Sequence, residues 1–108
     1  MQNETVSFEI FEDKAKIFFN KANTKLDLDI VLLLDEITND FFDRKITDIE
    51  FDFSKISFIT SLSLGKLVRY QKDFASVGGK ISIVNTTQNV YNVFKDTKLD
   101  NVLSVRKI

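Results

Sequence analysis

The sequence predicts an α/β domain with a mostly parallel sheet and an antiparallel hairpin strand at the N-terminus. Two apolar patterns alternate along its 108 residues. In some segments every second residue is apolar, which is typical of half-buried strands, and in others every third or fourth residue is, which is typical of helices with one buried side. The resulting order is β-β-α-β-α-β-α-β, and strands that alternate with helices pair in parallel through right-handed crossovers. We expect residues 1–108 to form one domain, since domains commonly contain about 100–150 residues.

The N-terminal third contains the hairpin and the first helix. Apolar and polar residues alternate in Thr5–Phe11, and Ala15–Phe19 follows after a polar turn, which predicts two antiparallel strands. Asn20–Asp27 is polar and is predicted to be a loop. Leu28–Phe42 is predicted to be a helix with Asp27 as its N-cap, because its apolar residues recur at three- and four-residue spacing. The apolar stripe consists of Ile30, Leu33, Leu34, Ile37 and Phe41.

A strand and a second helix occupy the middle of the chain. Asp48–Phe53 alternates acidic with apolar residues, which predicts a strand with one buried face and one wetter face. We therefore expect the helices to pack mainly on one face of the sheet. Ser61–Ser76 is predicted to be a helix that ends at Gly78-Gly79, because glycine is common just after a helix. The apolar side of this helix consists of Leu64, Leu67, Val68, Phe74 and Ala75.

The C-terminal third is predicted to add a strand, a third helix and a short closing strand. Lys80–Asn85 is a strand by its apolar and β-branched content, and Thr86 or Thr87 is expected to cap the helix that follows. Leu99–Val105 is predicted to be the closing strand. The apolar residues of the third helix are Val90, Val93 and Phe94.

The composition excludes several classes of site. The chain has no Cys and no His, so it cannot contain a disulfide, a redox thiol, a zinc site built on these ligands or a catalytic group that uses His as its base. Neither a glycine-rich phosphate loop nor a metal-ligand spacing is present in the sequence, and we expect no cofactor. Catalysis by Asp, Glu, Lys or Ser stays open in principle. No convergent pair of titratable groups is visible, so we expect the protein not to be an enzyme.

Charge and hydropathy predict the environment of the chain. The 15 basic and 16 acidic residues give a formal net charge of −1, which lacks the basic field suited to nucleic acid. No apolar run approaches the roughly 18–20 residues that cross a bilayer, and Met1–Glu4 does not begin a signal-peptide pattern. We therefore expect a cytoplasmic protein without membrane insertion and without a nucleic-acid partner.

The segment between the strand at Asp48–Phe53 and the helix at Ser61–Ser76 carries the functional signal. It is unusually apolar for a loop, and it ends in a cluster of Thr60, Ser61 and Ser63 at the helix N-terminus. Loops at the carboxyl ends of strands bind ligands and partners in open α/β sheets. Helix N-termini also favour negative charge, because their free N–H groups point outward. We therefore expect the functional surface to lie here.

The stretch Ile49–Gly65, which reads IEFDFSKISFITSLSLG, resembles the signature of STAS domains and, among them, the anti-anti-sigma factors of bacteria. Asp52-Phe53-Ser54 matches the family's Asp-apolar-Ser step at the strand end. Ile59–Gly65 is similar to the family's apolar-Asp-Ser-Ser/Thr-Gly-Leu-Gly loop. Gly78–Asn85 and Val90–Leu103 resemble the family's later turn, strand and helix. The resemblance implies the STAS fold for the whole chain.

The same resemblance implies that Ser61 is a phosphoacceptor. In the family, a serine kinase that is also an anti-sigma factor phosphorylates this serine, and the unphosphorylated form binds that partner and releases the sigma factor. Three residues depart from the family pattern: Thr60 replaces an Asp, Leu62 a Ser or Thr, and Ser63 a Gly. These departures favour an alternative function, namely a STAS scaffold that is not phosphorylated, or an accessory subunit of a stressosome-like or lipid-transport complex.

The predicted site comprises the loop before the second helix and the first turn of that helix. We expect Asp52 and Gly65 to organise the loop. Two alternatives stay open, because Ser61 could serve only as the helix N-cap and Leu62 could pack inward. The residues predicted to contact the partner, a serine kinase or anti-sigma factor, are Ser57, Phe58, Thr60, Ser61, Leu62, Ser63 and Leu64.

Two other surfaces are open to more than one interpretation. The acidic side of the first helix is either a solvated face or part of a partner surface. Phe11, Phe18 and Phe42 fall outside the predicted inward positions, so they could cover the second face of the sheet or form a homodimer contact.

Overall fold

A five-stranded sheet forms the centre of the computed structural model, which describes residues 5–108. The first strand, β1 (Val6–Phe11), runs antiparallel to the second, β2 (Lys14–Phe19), and every other neighbouring pair is parallel. The predicted α/β class with one antiparallel strand is therefore confirmed. The first four residues, whose sequence predicts that no signal peptide is present, lie outside the described residues. The strands lie in the order β1 (Val6–Phe11), β2 (Lys14–Phe19), β4 (Asp48–Asp52), β6 (Lys80–Thr86) and β7 (Ser104–Lys107).

A second, two-stranded sheet was not predicted. It consists of β3 (Thr24–Leu26) and β5 (Ile56–Ile59), which run parallel to each other. Both segments were predicted to be loops, and that prediction is wrong. Segments of three and four residues are too short to show a two-residue period, and each of these strands pairs only with the other, about thirty positions away in sequence.

In residues 5–108, three α-helices alternate with the strands: α1 (Leu28–Asp43), α2 (Ser61–Ala75) and α3 (Gln88–Asp96). Asp27 caps α1 as predicted, and its side chain accepts a hydrogen bond from the N–H of Ile30 at 3.4 Å. Within residues 5–108, no helix combines the length and the apolar character needed to cross a bilayer.

Among the later elements, the closing strand differs most from its prediction. Gly78 takes a φ of 81°, and the N–H of Gly79 donates to the carbonyl of Phe74 at 2.8 Å, so the glycine pair ends α2 as predicted. The closing strand is shorter than predicted. Leu99–Asn101 forms a turn of 3-10 helix. The carbonyl of Leu99 accepts hydrogen bonds from the N–H groups of Val102 and Leu103 instead of pairing with a neighbouring strand.

All three helices pack on one face of the five-stranded sheet. Ile49 and Phe51 of β4 are buried beneath them, whereas the acidic residues that alternate with these two remain partly exposed on the opposite face. The ring of Phe51 stacks on Tyr70 of α2 at 6.4 Å, and Phe53 contacts Phe94 of α3 at 6.4 Å. The prediction of one covered and one wetter face is thus confirmed.

The buried sides of the helices are rotated slightly from the predicted stripes. Val31 and Thr38 of α1 are buried because α1 packs beside α2 as well as over the sheet. Tyr70 of α2 is buried, whereas Ala75 is exposed. The helix–helix contact, which the pattern of one helix cannot reveal, accounts for these differences.

The phenylalanines outside the predicted inward positions occupy different environments. The side chain of Phe11 is 73% exposed at the end of β1, and Phe18 lies half-buried on the wetter face of the sheet. The ring of Phe42 packs against Phe74 at 5.7 Å between centroids, which partly covers it. The alternative in which these residues form a homodimer contact stays a prediction.

Candidate functional site

The carboxylate of Asp52 organises the turn that leaves β4. It accepts hydrogen bonds from the N–H of Ser54 at 2.9 Å and from the side-chain amide of Asn85 at 3.2 Å. The ammonium of Lys16 lies 3.8 Å away. Partial burial by itself raises the pKa of Asp52, but the bonds from Ser54 and Asn85 and the charge of Lys16 outweigh it, so the pKa lies below its ordinary value.

The segment after this turn places two apolar residues inside and two residues in solvent. Ile56 and Ile59 of β5 are buried, which accounts for the apolar character of the segment. Ser57 and Phe58 between them point outward, and the Phe58 side chain is 54% exposed. Two of the predicted partner residues therefore lie on the surface beside the start of α2.

Thr60 caps α2. Its backbone is extended, and its hydroxyl accepts a hydrogen bond from the N–H of Ser63 at 3.2 Å. This corrects the interpretation in which Ser61 is the N-cap, because Ser61 is instead the first residue of the helix. Thr and Asp are both good N-caps, so the replacement of the family's Asp by Thr60 keeps the cap and removes one negative charge.

Ser63 attaches the start of α2 to β3. It is fully buried, and its hydroxyl donates to the carbonyl of Leu26 at 2.7 Å and lies 2.8 Å from the hydroxyl of Thr60. The N–H of Thr60 also donates to the Leu26 carbonyl, at 3.2 Å. One carbonyl at the end of β3 therefore holds both the cap and the third residue of α2.

Ser63 and Leu64 do not face a partner, contrary to the prediction, because both are buried. Ser63 lies four residues before Leu67, on the same side of the helix, and that spacing is the signal that could have placed it inside. Gly65 does not organise the loop either. It lies within α2, its backbone has no positive φ, and a Cβ there would meet open space.

Ser61 and Leu62 are the exposed residues of the first turn of α2. Within residues 5–108, the hydroxyl of Ser61 forms no hydrogen bond, and the Leu62 side chain is 50% exposed. The N–H groups at the start of a helix lack intrahelical partners and carry partial positive charge. A negatively charged group on the Ser61 oxygen would therefore lie in a favourable field.

Alongside this site, α1 and α2 run next to each other and are joined by a second contact. The carboxylate of Asp35 in α1 accepts a hydrogen bond from the hydroxyl of Tyr70 at 2.6 Å and forms an ion pair with the ammonium of Lys66 at 3.1 Å. Burial, together with the bond to Asp35, raises the pKa of Tyr70. Leu28 and Leu32, which are not part of the predicted site, are exposed on α1. The signal that could have identified them is that both are apolar but lie outside the predicted stripe of α1.

Comparisons with known proteins agree with the resemblance seen in the sequence. The model of the STAS domain family matches residues 6–108, and no curated protein matches the chain. Among solved structures, the candidate anti-sigma factor antagonist TM1081 of Thermotoga maritima superposes with a TM-score of 0.78 at 23% identity, over 94% of this chain and 86% of that one. The anti-sigma factor antagonist SpoIIAA, unphosphorylated, gives 0.77 at 19% identity over 93% and 86%. Its phosphorylated form from Bacillus gives 0.71 at 18% identity over 93% and 89%.

Proposed function

Because the chain belongs to the STAS domain family, we propose that it is a regulatory protein-binding domain that acts as an anti-sigma factor antagonist in the bacterial cytoplasm. Its partner is a serine kinase that is also an anti-sigma factor, and Ser61 is the phosphoacceptor. One observation carries the proposal: the Ser61 hydroxyl, at the first residue of α2, is exposed and forms no hydrogen bond with any described residue. The fold shared with SpoIIAA, which is known in unphosphorylated and phosphorylated forms, supports it.

The proposed partner surface consists of the outward residues around the start of α2. Ser57 and Phe58 lie on one side of the cap residue Thr60, and Ser61 and Leu62 lie on the other. Phe58 and Leu62 are large apolar side chains that are half-exposed. Exposed apolar residues that adjoin one another are typical of protein–protein contact sites.

The switch follows from the charge of a phosphate. The kinase transfers the γ-phosphoryl group of ATP to Ser61, so that an Oγ–P bond forms, the bond to the ADP oxygen breaks and the hydroxyl proton passes to a base of the kinase. The phosphate adds about −1.5 to −2 charges at neutral pH. In the free domain, the helix N-terminus stabilises this charge. In the complex, the charge must be desolvated beside Phe58 and Leu62, and the partner is released.

Thr60 makes the phosphorylated state easier to accommodate. The family's Asp at this position would place a carboxylate next to the phosphate, and two like charges at such a distance repel each other. Thr60 keeps the capping bond to Ser63 without that charge. The departure from the family pattern therefore weakens neither the helix start nor the phosphoacceptor.

Phosphorylation can be tested by intact mass. Each serine kinase of the anti-sigma class encoded in the source genome is incubated with the protein and ATP. We expect one added phosphate in the wild type and in Ser57→Ala, which removes an exposed hydroxyl of the same surface, and none in Ser61→Ala. A phosphate that persists in Ser61→Ala contradicts the assignment. If none of these kinases transfers phosphate, the scaffold function becomes the better interpretation.

Binding provides an independent measurement. Ser61→Asp should weaken the complex with the kinase that phosphorylates the protein, because it introduces part of the charge of a phosphate at the same position. Ser104→Asp introduces the same charge at an exposed serine of β7, outside the proposed surface, and should leave the affinity unchanged. An unchanged affinity of Ser61→Asp would show that the start of α2 is not the contact surface.

A further inference from the structure

Of three exposed leucines near the start of α2, the proposed function explains Leu62 but not the two on α1. Leu28 and Leu32 of α1 are 53% and 55% exposed, and Leu62 of α2 is 50% exposed. We call these three residues the leucine patch. Large apolar side chains that are exposed together are costly to leave in water and commonly mark interaction sites.

Two contacts, one at the N-terminal ends of α1 and α2 and one further along both helices, show which sides of the helices face each other. At the helix starts, the carbonyl of Leu26, one residue before the cap of α1, accepts the bond from Ser63 of α2 at 2.7 Å. Further along, Asp35 of α1 contacts Lys66 of α2 at 3.1 Å. The facing sides of the two helices are thereby identified.

The leucine patch lies along this line of contact. Leu28 and Leu32 precede Asp35 by seven and three residues, and Leu62 precedes Lys66 by four. Residues at these spacings share one side of a helix. The three leucines therefore flank the N-terminal end of the groove between α1 and α2, and Leu62 lies next to Ser61.

The outer border of the patch is acidic. Asp29 precedes Leu32 by three residues and Glu36 follows it by four, so both adjoin Leu32 on the side away from α2. Both side chains are exposed, and neither forms an ion pair within residues 5–108. A partner that covers the leucines would gain by placing basic side chains over this border.

We propose that the groove between α1 and α2 binds an amphipathic helix of the protein partner, whose apolar face covers Leu28, Leu32 and Leu62 and whose basic edge lies over Asp29 and Glu36. The inference rests on the proposed function, since it extends the surface around Ser61 onto α1. A helix seated in a groove through residues spaced three, four and seven apart is a recurring mode of recognition. A phosphate on Ser61 would lie beside the apolar face of this helix, and the loss of its water there disfavours binding.

A synthetic peptide tests the groove without the natural partner. The probe is an amphipathic helix of about 15 residues with leucines on one face and lysines along one edge, and the control peptide carries glutamates in place of those lysines. Backbone amide chemical shifts of the isotope-labelled protein are followed during titration. We expect saturable shifts at the leucine patch with the lysine peptide and weaker ones with the glutamate peptide. Shifts centred elsewhere, or none, overturn the proposal.

Variants separate the groove from the phosphoacceptor. Leu32→Gln should weaken binding of the lysine peptide by about fivefold, as expected for losing part of a buried leucine side chain, whereas Val77→Gln, an equally exposed apolar position outside the patch, should leave it unchanged. Unaltered thermal unfolding of both variants shows that they are folded. Equal affinity of Leu32→Gln and wild type refutes the groove even if Ser61 accepts phosphate, and loss of phosphorylation with intact peptide binding refutes only the proposed switch.

Discussion

The buried hydroxyl of Ser63 is a measurable source of stability at the start of α2, and Ser63→Ala removes it without changing the backbone. The hydroxyl forms two contacts, with the Leu26 carbonyl at 2.7 Å and with the Thr60 hydroxyl at 2.8 Å. Buried hydrogen bonds contribute about 0.5–1.5 kcal/mol each. The Leu26 carbonyl keeps the N–H of Thr60 at 3.2 Å, so it is not left without a partner.

The expected loss for Ser63→Ala is therefore about 0.5–2.5 kcal/mol, after about 0.5 kcal/mol is recovered from the better helix propensity of alanine. For a domain of this size, the melting temperature should fall by about 2–11 °C. Urea unfolding followed by circular dichroism measures the free energy of unfolding directly. Ser57→Ala is the control, because its hydroxyl is exposed and lies 3.5 Å from its nearest acceptor, the Thr24 carbonyl.

A double-mutant cycle makes the test sharper. Thr60→Ala removes the cap and also the hydroxyl that contacts Ser63. If the two hydroxyls act as one network, the double variant should lose less stability than the sum of the single losses, by about 0.5 kcal/mol or more. The reasoning is refuted if Ser63→Ala is as stable as Ser57→Ala, or if the two losses at Ser63 and Thr60 simply add.

Two further predictions concern positions outside the proposed surface. The fold lowers the pKa of Asp52 below its ordinary value of 3.8, so the Asp52 carboxylate stabilises the fold above that pH, and this stabilisation is lost as the pH falls through the lowered pKa. The urea midpoint of Asp52→Asn should therefore lie below that of wild type at neutral pH, and the two midpoints should converge in acid. A difference between the midpoints that widens in acid would contradict this. Gly79→Ala should lower the free energy of unfolding by about 3 kcal/mol or more, because its Cβ would collide with the backbone of Thr47. Gly65→Ala places its Cβ in open space within a helix and should raise the free energy of unfolding by about 0.5–1 kcal/mol. Equal free energies of unfolding for the two variants would contradict the packing of Gly79 against Thr47.

The long elements of the fold could be predicted from sequence because each carries its own period. The apolar spacing of α1 and the alternation of β4 are local patterns of many residues, and both were predicted within one residue of their observed ends. β3 and β5 could not be predicted in this way. Each exists because the other is present, and a pairing between distant short segments leaves no local pattern.

The location of the predicted site at the start of α2 agrees with the structure, but the orientation of several of its side chains could not be predicted. The motif located the start of α2, but whether a hydroxyl there caps, packs or faces solvent depends on what lies opposite it. The Ser63 hydroxyl is buried against the Leu26 carbonyl, whereas the Ser61 hydroxyl, two residues earlier, forms no hydrogen bond in the described part of the chain. Leu28 and Leu32 were missed because they belong to a different helix, which meets α2 only in the folded chain.

The carbonyl of Leu26 stands 37 positions before Ser63, and this separation makes the start of α2 a discontinuous epitope. A peptide of residues 55–66 contains Ser61 but lacks the strand that fastens the helix cap, so it cannot present the serine in the same geometry. A kinase that recognises a linear sequence motif would not recognise the surface that the folded domain presents around Ser61. Under the proposed function, newly made or unfolded chains would therefore not be phosphorylated at Ser61 until β3 and β5 had paired.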